Sequence, residues 1–282
     1  MRSFVNEVES RRTADMSFRD DPKLAVLPAC SAGKGRSRYL LLAAAIDATT
    51  ASTGIRPLLA ELDRRVCTAG HQRGLFDITL DHEQLVLDTI AARQRRGELR
   101  GWQIRAHVPR ILAEANEFVD GFAGGDFDAW ARGLDSPHAI VEELATRIHY
   151  QGRNRSEASR KKMWMLMRWL VRPAPDLRIW DHLDPADLMV PVDAHVARCA
   201  ARLGVIDGGR AKDPLWREVE AITAYGRTLF PGDPAKIDYA FFMWSRSHGA
   251  RALEPDMCAT LFKQARARCP LAEVLPCGPR CR

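Results

Sequence analysis

The stretch MVPVDAHVARCAARLG, residues 189–204, holds a single carboxylate, Asp193, between a proline-broken extended segment and a run whose other charges are Arg198 and Arg202. One role for such a residue is structural. An aspartate at that point caps a helix, accepting hydrogen bonds from free backbone N–H groups and complementing the positive end of the helix dipole. The other role is chemical, since a carboxylate held at that end and facing a cleft stabilises a cation formed during a reaction. A second group with chemical potential is Cys258, Cys269, Cys277 and Cys281, separated by 10, 7 and 3 residues. Four cysteines are enough for zinc or an iron–sulfur cluster, and a reduced, metal-free tail is the alternative; no metal or cofactor is assigned. The SAGKGRS stretch at 31–37 lacks the spacing of a phosphate loop and follows no strand, so it carries no nucleotide-binding reading.

The string VDAHVARCAARLG, residues 192–204, resembles the V-D-x-H-V-x-R-x-x-x-R-L-G signature of helix-hairpin-helix DNA glycosylases of the endonuclease III superfamily. The match spans Val192, Asp193, His195, Val196, Arg198, Arg202, Leu203 and Gly204. In that family the aspartate is catalytic, and bifunctional members pair it with an attacking lysine. The L-P-G-V-G-x-K hairpin that carries the lysine in endonuclease III-like enzymes is missing here. Instead, SRKKMWMLMRWLVR at 159–172 is similar to a helix of the archaeal 8-oxoguanine glycosylases and their bacterial relatives, which is followed by P-x-D. That similarity puts Lys161 at the lysine position and Lys162 where a second basic residue is tolerated. DPAKIDYAFFMW at 233–244 resembles a third block of the same family, whose acidic residue and following aromatic line the base pocket. Asp238 and Phe242 would take those places, with Trp244 a further candidate. The resemblance covers roughly residues 156–250. It implies a two-lobed helical fold with a cleft, double-stranded DNA containing a damaged or modified base as partner, and 8-oxoguanine as the base removed.

The chemistry is coherent on physical grounds. Breaking an N-glycosidic bond develops oxocarbenium character on the sugar, which a preorganised carboxylate stabilises where water is excluded. An amine then captures C1′, and the Schiff base permits β-elimination at the abasic site. A lysine at its ordinary value near 10.4 is neutral only about once in 2,500 at pH 7, and lowering it by about three units costs about 4 kcal/mol. Burial beside Met163, Met165 and Leu166 is the expected source of that shift. A base stacked in duplex DNA must be flipped out and held between aromatic or apolar faces, a role for Phe242 and Trp244. Each residue also has an ordinary reading. Asp193 serves as a cap only, the two lysines as solvated charges at a helix start, Phe242 and Trp244 as core, and His195 as a structural side chain. Helical phase does not decide between Lys161 and Lys162. A monofunctional glycosylase using activated water, and a non-catalytic binder of damaged or modified DNA, are the alternative functions.

The elements that must position these residues read as helices. YLLLAAAI at 39–46 is a buried helix, and residues 82–95 and 104–122 have an apolar face at helical spacing. Asp184-Pro185, Asp213-Pro214 and Asp233-Pro234 each join a good N-cap to a proline suited to the first helical position. FAGGDFD at 122–128 is a turn between helices, and LFDITLD at 75–81 is the one candidate for a short extended piece. The expected fold is all-α.

Bulk properties limit the alternatives. With 282 residues and 46% hydrophobic content the chain can bury a large core, and a net charge of +6 is compatible with a polyanionic partner. The longest apolar run is too short to span a bilayer, and the charged first residues lack the apolar stretch of a secretory signal. A cytoplasmic, nucleoid-associated monomer with no membrane contact is expected. Seven cysteines, an odd number scattered in part along a long chain, argue against a disulfide framework. The expected organisation is a flexible arm over 1–36 and a helical glycosylase domain over 37–282. Within that domain the motifs lie at 156–250 and the cysteine-containing tail at 255–282.

Overall fold

Helix follows helix from the first residues of the chain, as the spacing of its apolar side chains requires. The computed structural model describes residues 1–14, 35–47, 52–99, 101–151, 158–208 and 214–248. Among these are eleven α-helices: α1 Arg2–Ala14, α2 Arg36–Ile46, α3 Ser52–Thr68, α4 Glu83–Arg95, α5 Val108–Glu117, α6 Phe127–Arg132, α7 Pro137–Arg147, α8 Lys161–Val171, α9 Ala194–Arg202, α10 Trp216–Leu229 and α11 Ile237–His248. No strand occurs among the described residues, and the only pairing of extended chain is an isolated bridge between Ala158 and Leu215. The fold is all-α.

Two helices are apolar on every side and form the centre. Every residue of α2 from Ser37 to Ile46 is buried, as is every residue of α8 from Met163 to Val171. A helix without a polar face must be surrounded, and α2 packs on α5 and α8 while α7 packs on α8. Their few charged side chains are confined to the ends or must find partners inside. On the other side α9 packs against α11, which also receives α1. A Cβ at Gly226 of α10 would stand 2.6 Å from the Pro234 carbonyl oxygen, so glycine lets α10 lie directly on the turn that starts α11.

Several local expectations change. The arm expected over 1–36 is helical over Arg2–Ala14, with Phe4, Val5 and Val8 buried against the core; three apolar residues on one face suffice to dock it. Residues 75–81 form two short 3-10 turns, Gly74–Asp77 and Leu80–His82, rather than extended chain. A buried carboxylate, Asp63, fixes the first turn by accepting from the Leu75 N–H at 2.8 Å. The helix read at 104–122 begins as a 3-10 turn, becomes α5, and ends as a π-helical turn over Phe118–Phe122. Asp184 does cap, accepting from the Ala186 N–H, but for a single 3-10 turn. Asp233 makes no side-chain cap at all, because Arg172 takes its carboxylate. Asp213 and the four C-terminal cysteines lie outside the described residues. Cys199 is a buried free thiol, and Cys67 is disulfide-bonded.

Candidate functional site

Helix α8 starts where α2 ends. Arg160, the residue before α8, sits in the left-handed region at φ 50° and gives the helix no side-chain cap. A non-glycine residue there costs about 1–2 kcal/mol, and the Arg160 guanidinium is held by an ion pair with Glu142. Immediately after this strained start come Lys161 and Lys162. Two ammonium groups at the positive end of a helix dipole are uphill; the C-terminal end of α2 offsets them. Lys161 Nζ lies 3.9 Å from Asp47 Oδ2, and Lys162 Nζ donates to the Ala45 carbonyl at 2.8 Å while sitting 5.2 Å from the centre of the Tyr150 ring. Gln151 Nε2 donates to the same carbonyl at 3.0 Å. Burial, and then the charge of Lys161, pull the Lys162 amine down to about 7, with Asp47 opposing.

Asp193 is the N-cap of α9. The buried segment from Leu188 to Val192 leads into it, anchored by the Val190 N–H donating to Thr223 Oγ1 at 3.0 Å. Its Oδ1 accepts from the backbone N–H groups of His195 at 2.8 Å and Val196 at 2.9 Å. The capping role is therefore real. It uses one oxygen, and Oδ2 makes no hydrogen bond among the described residues. The surrounding signature residues have plain structural reasons as well. Val192 and Val196 are core, and Gly204 at φ 73° ends α9 with Val205 N–H donating back to Ala200 O at 2.9 Å. Arg198 folds onto its own helix, donating to Ala194 O and to His195 Nδ1.

Asp238, in the first turn of α11, shares this region. Burial pushes its carboxyl up; Arg168 and Lys161 oppose this, and the negative charge of Asp193 adds to it. Lys161, Asp193 and Asp238 thus act on one electrostatic neighbourhood. Arg168 binds Oδ2 of Asp238, and the Asp238 side chain keeps 10% of its surface exposed. Phe242, one turn on, is half-buried and meets the ring of His195 edge-on at 5.2 Å. Trp244 is packed into the core. The structure therefore brings Phe242 to the side of α9 that carries His195 and places Trp244 with the core residues.

Residues 128–247 are similar to the family described as "Protein of unknown function (DUF2400)". That DUF2400 match contains both lysines, Asp193, Asp238, Phe242 and Trp244, and leaves α1 to α5 outside it. No curated protein and no solved structure matches the chain.

Sequence reasoning misses what holds the far end of α8. Arg168 interrupts, and Arg172 directly follows, the apolar run from Met163 to Val171, and that alone is a signal, because a buried guanidinium must be matched. Asp176, directly after Pro175 in the loop that follows α8, is fully buried and accepts from Arg12 at 3.2 Å, Arg168 at 3.4 Å and Arg172. Arg172 also donates to Glu9 at 2.9 Å and to Asp233 at 2.8 Å. Two cavities lie elsewhere. One of about 330 Å³ is lined by Glu9, Arg172, Asp233 and Lys236, and one of about 450 Å³ by Glu114, Phe122 and Arg147. Neither touches Lys161, Asp193 or Asp238. Among the described residues no three His, Cys, Asp or Glu side chains converge to hold a metal ion, and no helix is long and apolar enough to cross a membrane.

Proposed function

We propose that this protein is a DNA glycosylase with β-lyase activity that removes a damaged base, 8-oxoguanine first among the candidates, from double-stranded DNA. The observation that carries the reading is the Asp193 carboxylate, fixed through one oxygen by two backbone N–H groups while its other oxygen makes no hydrogen bond among the described residues, in an electrostatic neighbourhood that includes Lys161 and Asp238. A carboxylate immobilised by two backbone N–H groups needs little reorganisation when a cationic sugar forms beside it. As the base departs with the glycosidic electron pair, Lys161, having given up a proton, adds to C1′, and opening of the C1′–O4′ bond converts the adduct to a Schiff base set up for β-elimination. Asp238 offers a hydrogen-bond acceptor to the edge of the flipped base, and Phe242 a face for stacking.

A second reading of the amine has its own support. Lys162, at about 7, is neutral about half the time at pH 7, so the electrons needed for attack are available on it without a separate base. A positive neighbour that frees an amine is a known device, and Lys161 would then be that neighbour. The test of the proposed function is release of free base from duplexes carrying a panel of lesions, measured for the natural chain and for Asp193→Asn. Release by the first and at least a hundredfold slower release by the second supports the reading. Equal release by both would reduce Asp193 to a cap; no release from any duplex would leave a DNA-binding role or none.

A further inference from the structure

Asp238 does not stand alone behind the site. Its partner Arg168 donates through Nη1 to Asp238 and through Nη2 to Asp176 Oδ1 at 3.4 Å. The same oxygen, Asp176 Oδ1, accepts from Arg12 Nη2 at 3.2 Å, and Arg12 Nη1 donates to Glu9 Oε1 at 3.0 Å. The Arg12 guanidinium also lies over the ring of Tyr239, the residue after Asp238, at 4.5 Å. Arg12, Glu9, Arg168 and Asp176 are all buried. The cluster sets three guanidiniums, Arg12, Arg168 and Arg172, against four carboxylates, Glu9, Asp176, Asp233 and Asp238. Within the cluster Asp238 is held by Arg168 alone, and Arg168 is shared with Asp176. Asp238 is also the member of the cluster that feels the charge of Asp193.

We propose that Arg12 of the N-terminal helix α1 is a positioning residue for the Asp193 site, acting on Asp238 through the shared acceptor Asp176 Oδ1 and Arg168. The physical reason is competition for one oxygen. While Arg12 neutralises Asp176, Arg168 is left to Asp238 and keeps it an ionised acceptor. Without Arg12, Asp176 draws on Arg168, and Asp238 faces more uncompensated negative charge. The charged groups that act on Asp238 are Arg168 and Lys161 from α8 and Asp193 from α9; behind Arg168 stand Asp176 from the loop after α8 and Arg12 and Glu9 from α1. Only Arg12 and Glu9 in this set lie outside the DUF2400 match. For excision itself the inference rests on the glycosylase reading; for the behaviour of Asp238 it does not.

The test is a carboxyl ¹³C NMR titration of the full chain, with the Asp238 resonance assigned by its loss in Asp238→Asn. Arg12→Met should raise the Asp238 midpoint by about half a unit or more, about threefold in the ionisation ratio, and Glu9→Gln should lower it. Arg12→Lys, which keeps the charge, should return most of the way to the natural midpoint and serves if Arg12→Met does not fold. Opposite shifts from Arg12 and Glu9 variants are the signature, because a loosened core would move both the same way. A midpoint that is unchanged, or that moves alike in both, overturns the proposal. The pH profile of base release separates the two claims, since its acid limb should follow the Asp238 midpoint. A midpoint that moves in a chain releasing no base would sink the glycosylase reading and leave the relay standing.

Discussion

The two ends of α8 carry the same kind of residue and treat it in opposite ways. At the C-terminal end Arg168 and Arg172 are fully buried, and their donors reach Asp176, Asp233, Asp238 and Glu9. At the N-terminal end Lys161 and Lys162 are half-buried, one 3.9 Å from a carboxylate and the other sharing a single carbonyl with Gln151. A guanidinium presents five donors in a fixed fork and stays charged, so it suits a saturated interior; an ammonium changes its protonation when desolvated. The comparison separates charges that hold the fold from charges left in an unsettled state. Chemistry needs the second kind.

The largest effect should come from breaking the saturated end. Arg172→Leu leaves Asp176, Glu9 and Asp233 short of a partner, and removal of one member of a buried ion group costs about 3–5 kcal/mol. Denaturant unfolding should show that loss, and a change below about 1 kcal/mol would mean the network is as dispensable as a surface pair. Next in size, Asp193→Asn should keep most of the stability, since asparagine also caps helices well, while base release falls at least a hundredfold.

The unsettled end should respond to pH. Lys162 sits at about 7 in the folded chain and ordinarily at 10.5, so between those values the unfolded chain binds the additional proton. Its contribution therefore makes the natural chain more stable as pH rises from about 7 toward 10.5. Lys162→Met should lack that rise and gain on the natural chain most below pH 7, the Ala45 carbonyl keeping Gln151 as donor. Parallel stability–pH curves for the two chains would show that Lys162 is charged and solvated. The smallest change is expected of Phe242→Ala at a half-buried position, where loss of the edge contact with His195 and the stacked contact with Tyr239 should cost about 1–2 kcal/mol. On DNA the same variant should lose discrimination between lesion and ordinary guanine more than affinity for undamaged duplex, which depends on phosphate contacts. Equal losses on both would place Phe242 with the core.

Much of this was legible in the chain. The all-apolar run of α2, the amphipathic α4 and the Asp193 cap follow from residue type and spacing alone. The helix at Arg2–Ala14 was not, because a charged, proline-free segment with three apolar residues on one face looks unstructured until the core it docks on is known. The turns at 75–81 were missed because Asp63, a residue on another helix, fixes them. Asp233 reads as a cap from its neighbour Pro234, yet a buried arginine sixty-one residues earlier takes it. The same long-range pairing hides Glu9 and Arg12. Lys161 and Lys162 are neighbours in sequence, and only the position of the α2 terminus distinguishes them.

The most direct measurement is borohydride trapping on a duplex carrying 8-oxoguanine, with the cross-linked lysine identified by peptide mapping, in the natural chain, Lys161→Gln and Lys162→Gln. A covalent complex through Lys161 that disappears in Lys161→Gln and persists in Lys162→Gln is the predicted result. A cross-link through Lys162 would keep the mechanism and exchange the roles of the two amines. Free base released with no trapped complex in any chain would make the enzyme monofunctional. Neither trapping nor base release, from a chain that is folded and binds the duplex, would contradict the claim that the N-terminal end of α8 belongs to a catalytic site.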